Sequence, residues 1–76
     1  MNSVTVYTTS TCPYCAMLMN FLREHNIPFK EVNVQENPEQ MYYVMSQTGQ
    51  MGVPQTEVNG QWVIGFDPGR IMAALR

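Results

Sequence analysis

Three times in this chain a proline directly follows a residue suited to sit just ahead of a helix: Cys12-Pro13, Asn37-Pro38 and Asp67-Pro68. Proline fits the first helical turn, where its missing N–H would have no intrahelical partner anyway. The residue before it can accept from the unpaired amides. These pairs mark three helix starts, and the stretches between them must supply the rest of the fold. From Cys12 to about His25, Met17, Leu18, Phe21 and Leu22 recur at helical spacing and predict one buried face. Asn26 suits the left-handed stop, and Ile27-Pro28 prevents continuation. The second helix carries Met41, Tyr42, Val44 and Met45, has Gln40 at the capping-box position, and ends near Gly49. The third is short and amphipathic through Ile71, Met72 and Leu75.

Between the helices lie strand patterns. Ser3–Thr8 is β-branched and aromatic, and Phe29–Val34 gives a mixed signal. Gln55–Val58 and Gln61–Gly65 flank Asn59-Gly60, the dipeptide that most strongly predicts a hairpin. The order β-α-β-α-β-β-α is that of an α/β fold. Its first β-α-β can form a right-handed parallel unit, and the hairpin adds an antiparallel half to the same sheet. The expectation is a four-stranded mixed sheet flanked by helices, one domain over residues 1–76, with no linker or repeat.

Composition narrows the partners. Four basic and six acidic side chains in 76 residues give a net charge of −2. With no Lys/Arg cluster, neither nucleic acid nor an anionic membrane surface is expected to bind. Apolar runs are too short to span a bilayer. The start of the chain lacks the charged and apolar regions of a signal peptide, so the expectation is a cytoplasmic monomer. Two cysteines in a reducing compartment point to redox or metal chemistry rather than a structural staple.

Cys12 and Cys15 open the first helix, right after a strand and a short polar loop. At that position unpaired amides and the positive end of the helix dipole face the Cys12 sulfur. They favour thiolate over thiol, which lowers the Cys12 pKa below the free value of about 8.5. Cys15 lies on the same face, about 5–6 Å away between Cβ atoms, near enough to resolve a mixed disulfide on Cys12. As a staple the pair would be poor, because it closes so short a loop. A zinc site needs four ligands, and beyond the cysteines only His25 remains, itself suited to a solvated helix end. A metal or iron–sulfur cluster bridging two chains through Cys12 is the alternative from another class. Further along, Val53-Pro54 admits two readings. The proline either simply begins a strand, or forms a cis bond that turns the Val53 backbone outward to pair with an extended substrate. The seven methionines are expected to fill the core adaptably, and Trp62 to pack on its strand.

Val4-Thr5-Val6-Tyr7-Thr8 leading into Cys12-Pro13-Tyr14-Cys15, then Gly52-Val53-Pro54, then Gly65-Phe66-Asp67, together resemble the glutaredoxin family. Within it the likeness is to the short bacterial glutaredoxin-like and NrdH-type redoxins. The resemblance implies a thioredoxin-like fold, a nucleophilic Cys12, a resolving Cys15 and a cis Pro54. It implies substrate contacts from Pro13, Tyr14, Val53, Pro54, Phe66 and Asp67, with Tyr14, Met51, Val53 and Phe66 forming an apolar collar. No metal site and no bound cofactor are implied. The reaction implied is reduction of protein or glutathione mixed disulfides. Disulfide-bearing proteins are then the partners, and electrons come from glutathione as co-substrate or from a thioredoxin-reductase-type flavoenzyme. Two positions depart from the family pattern. Thr9 stands where many members carry lysine, and Phe66-Asp67-Pro68 replaces the Gly-Gly and acidic residues with which glutathione users bind the tripeptide.

Overall fold

In a computed structural model, which describes residues 2–75, the elements run β1 (Val4–Thr8), α1 (Pro13–Glu24), β2 (Lys30–Asn33), α2 (Pro38–Thr48), β3 (Gln55–Val58), β4 (Gln61–Ile64) and α3 (Pro68–Ala74). The expected order holds throughout. The strands form one sheet in the order β2-β1-β3-β4. β1 is parallel to β2, with Tyr7 opposite Val32, and antiparallel to β3, with Tyr7 opposite Gln55. The hairpin turn has φ 52° at Asn59 and 85° at Gly60. Positive φ at both central residues matches the twist of the two strands, and glycine takes the second position without steric cost. The Asn59 side chain also accepts from Ser3 N (2.8 Å), tying the turn to the start of β1.

Alternation along β1 divides the core between the two faces of the sheet. Val4 and Val6 face α1 and α3, packing with Leu18, Leu22, Val58, Val63, Ile71 and Ala74. Tyr7 faces α2 and packs with Val34 and Val44, flanked by half-buried Val32, Met41, Val53 and Trp62. Each helix therefore needs only a narrow apolar stripe. On α1 the stripe is Cys15, Leu18 and Leu22. Met17, expected on the buried face, is 47% exposed, because one residue turns an α-helix by about 100° and carries it over the shoulder. Tyr42, Met45 and Met72 are likewise exposed. With Met51 also exposed and only Met19 and Met41 half-buried, the methionines lie mainly at the surface rather than in the core; Met1 falls outside the described residues.

The helix ends follow the sequence in part. Asn26 has φ 56°, Asn26 N donates to Arg23 O (3.0 Å), and Ile27 N donates to Leu22 O (2.9 Å). That paired pattern is a Schellman stop with asparagine in the glycine role. Gly49 (φ 75°) ends α2, its N–H on Met45 O. The start of α2 departs from expectation: Asn37 makes no side-chain cap bond. Its Nδ2 donates instead to Asn33 O (3.0 Å), a local side-chain–backbone bond that competes with capping. No helix among the described residues is long and apolar enough to cross a membrane.

Candidate functional site

β1 delivers the chain to the site. Its last residue, Thr8, is fully buried, its O accepts from Val34 N (2.9 Å), and its hydroxyl donates to Glu31 Oε2 (3.1 Å). The following loop is fastened to the end of β2: Ser10 N donates to Gln35 Oε1 (3.1 Å) and Asn33 Nδ2 to Ser10 Oγ (2.9 Å). Nothing in the sequence pattern flagged Ser10, Asn33 and Gln35 as a network. Their parallel adjacency emerges only once β1 and β2 are aligned.

Cys12 then occupies the N-cap of α1 with extended backbone (φ −111°, ψ 103°), and Pro13 begins the helix. Its Sγ accepts from Cys15 N at 3.1 Å. That amide is one of the donors a helix start leaves without a backbone partner. The helix start thus aims an unpaired amide and the positive end of its dipole at the Cys12 sulfur. Cys12 and Cys15 are joined as a disulfide, with Cα atoms 5.2 Å apart. Burial separates their roles: Cys15 is 1% exposed, while Cys12 is partly open to solvent. An incoming disulfide can reach Cys12 but not Cys15.

No cation assists. Arg23 sits in the last turn of α1, over the Phe29 ring (5.4 Å). Lys30 begins β2, at the opposite end of the sheet from the cysteines. Arg70, on α3, is engaged by Asp67 (Nε to Oδ2, 3.4 Å). His25 is exposed and lies against Phe21 (4.4 Å between centroids), away from the cysteines. Among the described residues no three His, Cys, Asp or Glu side chains are grouped to hold a metal ion.

The sheet brings the other expected residues to the same end. The Tyr7–Gln55 register continues to Thr8 beside Pro54, and Gly65 N donates to Pro54 O (2.9 Å). The end of β1, Val53-Pro54 and Gly65-Phe66 are thus neighbours. The Val53-Pro54 bond is cis. Pro54 is buried, whereas the Val53 N–H and C=O have no hydrogen-bond partner among the described residues. Of the expected collar, Tyr14 and Met51 stand out into solvent, 61% and 59% exposed. Val53 and Phe66 are half-buried, each packed against the core on a different face of the sheet. Asp67 caps α3, accepting from Arg70 N (3.2 Å). Two surface clefts of about 310 and 230 Å³ open elsewhere, and Cys12 lines neither.

Two features were missed by pattern alone. Gln55 is fully buried, and its Nε2 donates to Gln50 O (3.0 Å) and Gly52 O (2.8 Å). A polar residue in a strand normally reads as outward-facing; its position next to Pro54 was the available signal. On the α2 face, Tyr7, Tyr43 and Trp62 form an aromatic group with centroids 5.5–6.3 Å apart. The Tyr43 hydroxyl donates to Glu57 there (3.1 Å). Burial, then the charges of Glu57 and Tyr43, push the Tyr7 phenol up to about 12. Trp62 is accordingly a packing residue.

A family model described as Glutaredoxin matches residues 4–63. An uncharacterized glutaredoxin-like 8.6 kDa protein of Clostridium pasteurianum is 32% identical over 90% of this chain and 91% of its own length. Glutaredoxin 3 of Escherichia coli K12 is 30% identical over 88% of this chain and 81% of its own. Among solved structures, the glutaredoxin of Archaeoglobus fulgidus superposes with a TM-score of 0.86 at 25% identity, covering 100% of this chain and 88% of that one. The NrdH-redoxin of Escherichia coli shares the fold with a TM-score of 0.86 at 24% identity, covering 93% of this chain and 92% of that one.

Proposed function

This chain belongs to the glutaredoxin family, and from that premise we propose that it is a dithiol reductant of disulfides in which Cys12 attacks and Cys15 resolves. The observation that carries the assignment is the asymmetry of the pair: an accessible Cys12 sulfur held by the Cys15 amide at 3.1 Å, bonded to a buried Cys15. The Cys12 thiolate attacks one sulfur of the substrate disulfide. A mixed disulfide forms, and the other substrate sulfur leaves as a thiolate that takes up a proton. Cys15 then gives up its proton and attacks Cys12 Sγ, closing the Cys12–Cys15 disulfide and releasing the second substrate thiol. Two electrons and two protons pass to the substrate. The chain needs no cofactor of its own for this step.

Pro13 and Tyr14 flank the attacking sulfur, and the free N–H and C=O of Val53 suit an extended peptide running past it. The test is turnover of a peptide disulfide by wild type and Cys12→Ser. Loss of activity in the variant is expected, and full retention would overturn the assignment.

One observation favours a protein reductase over glutathione as the electron source. Asp67, where the family binds the tripeptide, places its carboxylate on the first amide-bearing turn of α3 and on Arg70. A glutathione carboxylate arriving there meets a filled helix start and a like charge. An NADPH-coupled assay should therefore run with a thioredoxin-reductase-type flavoenzyme and run poorly with glutathione plus glutathione reductase. Fast turnover with glutathione would show that Phe66-Asp67 still accepts it.

A further inference from the structure

Gln55 faces the α2 side of the sheet opposite Tyr7 and is fully buried. Its Oε1 has no hydrogen-bond partner among the described residues. A buried amide with an unpaired oxygen is destabilising relative to an apolar side chain of similar shape. Stability alone therefore does not explain a glutamine here. What the amide does secure is geometry. Both bonds come from one planar group and hold the carbonyls on either side of Met51, at Gln50 (3.0 Å) and Gly52 (2.8 Å).

Little else holds this segment. Met51 is 59% exposed, and a Cβ placed on Gly52 would meet nothing within 4 Å. The remaining ties are at its far end, where Gln50 N donates to Thr48 Oγ1 (3.1 Å) and Thr48 Oγ1 donates to Gln50 O (3.3 Å). The residue immediately after the Gln55-bound carbonyl of Gly52 is Val53, whose N–H and C=O are unpaired among the described residues.

We infer that Gln55 is a positioning residue for substrate: it fixes the Gln50–Gly52 backbone so that Val53 is already aligned for the extended peptide carrying the disulfide. The inference rests on the reading of Cys12 as the attacking group. A substrate with peptide on both sides of its disulfide uses that alignment, and a small aromatic disulfide does not. Pre-alignment removes an ordering cost that binding would otherwise carry, and its loss shows in half-saturation rather than in the chemical step.

The test compares wild type with Gln55→Met, which keeps the volume and removes both donors. The Gln50 and Gly52 carbonyls are then free to take water, since both residues are exposed. Pre-reduced protein is mixed with excess substrate and single-turnover rates are followed against concentration. With the peptide disulfide, the half-saturating concentration should rise about tenfold while the maximal rate stays within about twofold. With 5,5′-dithiobis(2-nitrobenzoate) the second-order rate should stay within about twofold, and amide exchange at Met51–Val53 should quicken. If Gln55→Met does not fold, Gln55→Leu carries the same comparison. Unchanged half-saturation with the peptide, or an equal loss with both substrates, overturns the inference. A wild type inactive on both substrates would instead remove the oxidoreductase reading, and the inference with it.

Discussion

Leu18 and Met17 are adjacent, similar in size and almost equally apolar, yet the structure assigns them opposite energetic weight. Leu18 is fully buried against both the sheet and α3, one turn beyond Cys15, whereas Met17 is 47% exposed. Truncating Leu18 to alanine removes buried carbon and leaves a cavity that neighbours fill only in part, which destabilises by about 3 kcal/mol or more. A chain of 76 residues has about 4–11 kcal/mol of total stability, so this is a large fraction. With a urea slope of about 1 kcal/mol per molar, the midpoint of Leu18→Ala should fall by about 3 M with the slope unchanged. Met17→Ala should stay within about 0.5 kcal/mol of wild type. Equilibrium urea unfolding of the three proteins, oxidised, decides it. Comparable losses for Leu18→Ala and Met17→Ala would refute the narrow-stripe packing of α1 and restore the broader face that the sequence alone predicts.

Other outcomes follow from the same structure. Gly60→Ala, at φ 85°, should destabilise by about 1 kcal/mol, read by thermal unfolding; a neutral result would contradict the turn geometry. Tyr7 is raised to about 12 from an ordinary 10.0, chiefly by burial, so the fold holds its neutral form. Tyr43 is raised as well, by burial and by its bond to Glu57. The Tyr7 contribution is full below pH 10 and is lost as pH rises toward 12. Stability should decline over that window and decline less steeply in Tyr7→Phe, and an equally steep decline would count against the buried phenol.

The element order was legible because local chemistry and tertiary need agree at the punctuation points. Pro13, Pro38 and Pro68 each open a helix, Asn26 and Gly49 adopt left-handed backbone, and Asn59-Gly60 makes the hairpin. The cysteine pair was legible for the same reason, since a strand–loop–helix pattern fixes where the helix amides point. Depth was less so. Periodicity shows that a helix has an apolar side but not how wide a stripe its neighbours cover, and Met17, Tyr42 and Met72 fell outside it. The capping box at Asn37 and Gln40 failed because Asn37 found a carbonyl in the preceding turn. Gln55 was hidden because its partners, Gln50 and Gly52, are backbone groups brought to it by a loop whose path no residue pattern encodes.

On the proposed function, Cys12 alone attacks and Cys15 alone resolves. Cys15→Ser keeps the residue-15 amide that faces Cys12 Sγ but removes the resolving sulfur. After incubation with a peptide disulfide, in the absence of other thiols, it should accumulate a mixed disulfide on Cys12, seen by mass spectrometry as one added peptide thiol. Cys12→Ser should accumulate none, because buried Cys15 is out of reach. Adduct on Cys15 in Cys12→Ser, or none on Cys12 in Cys15→Ser, would contradict the account.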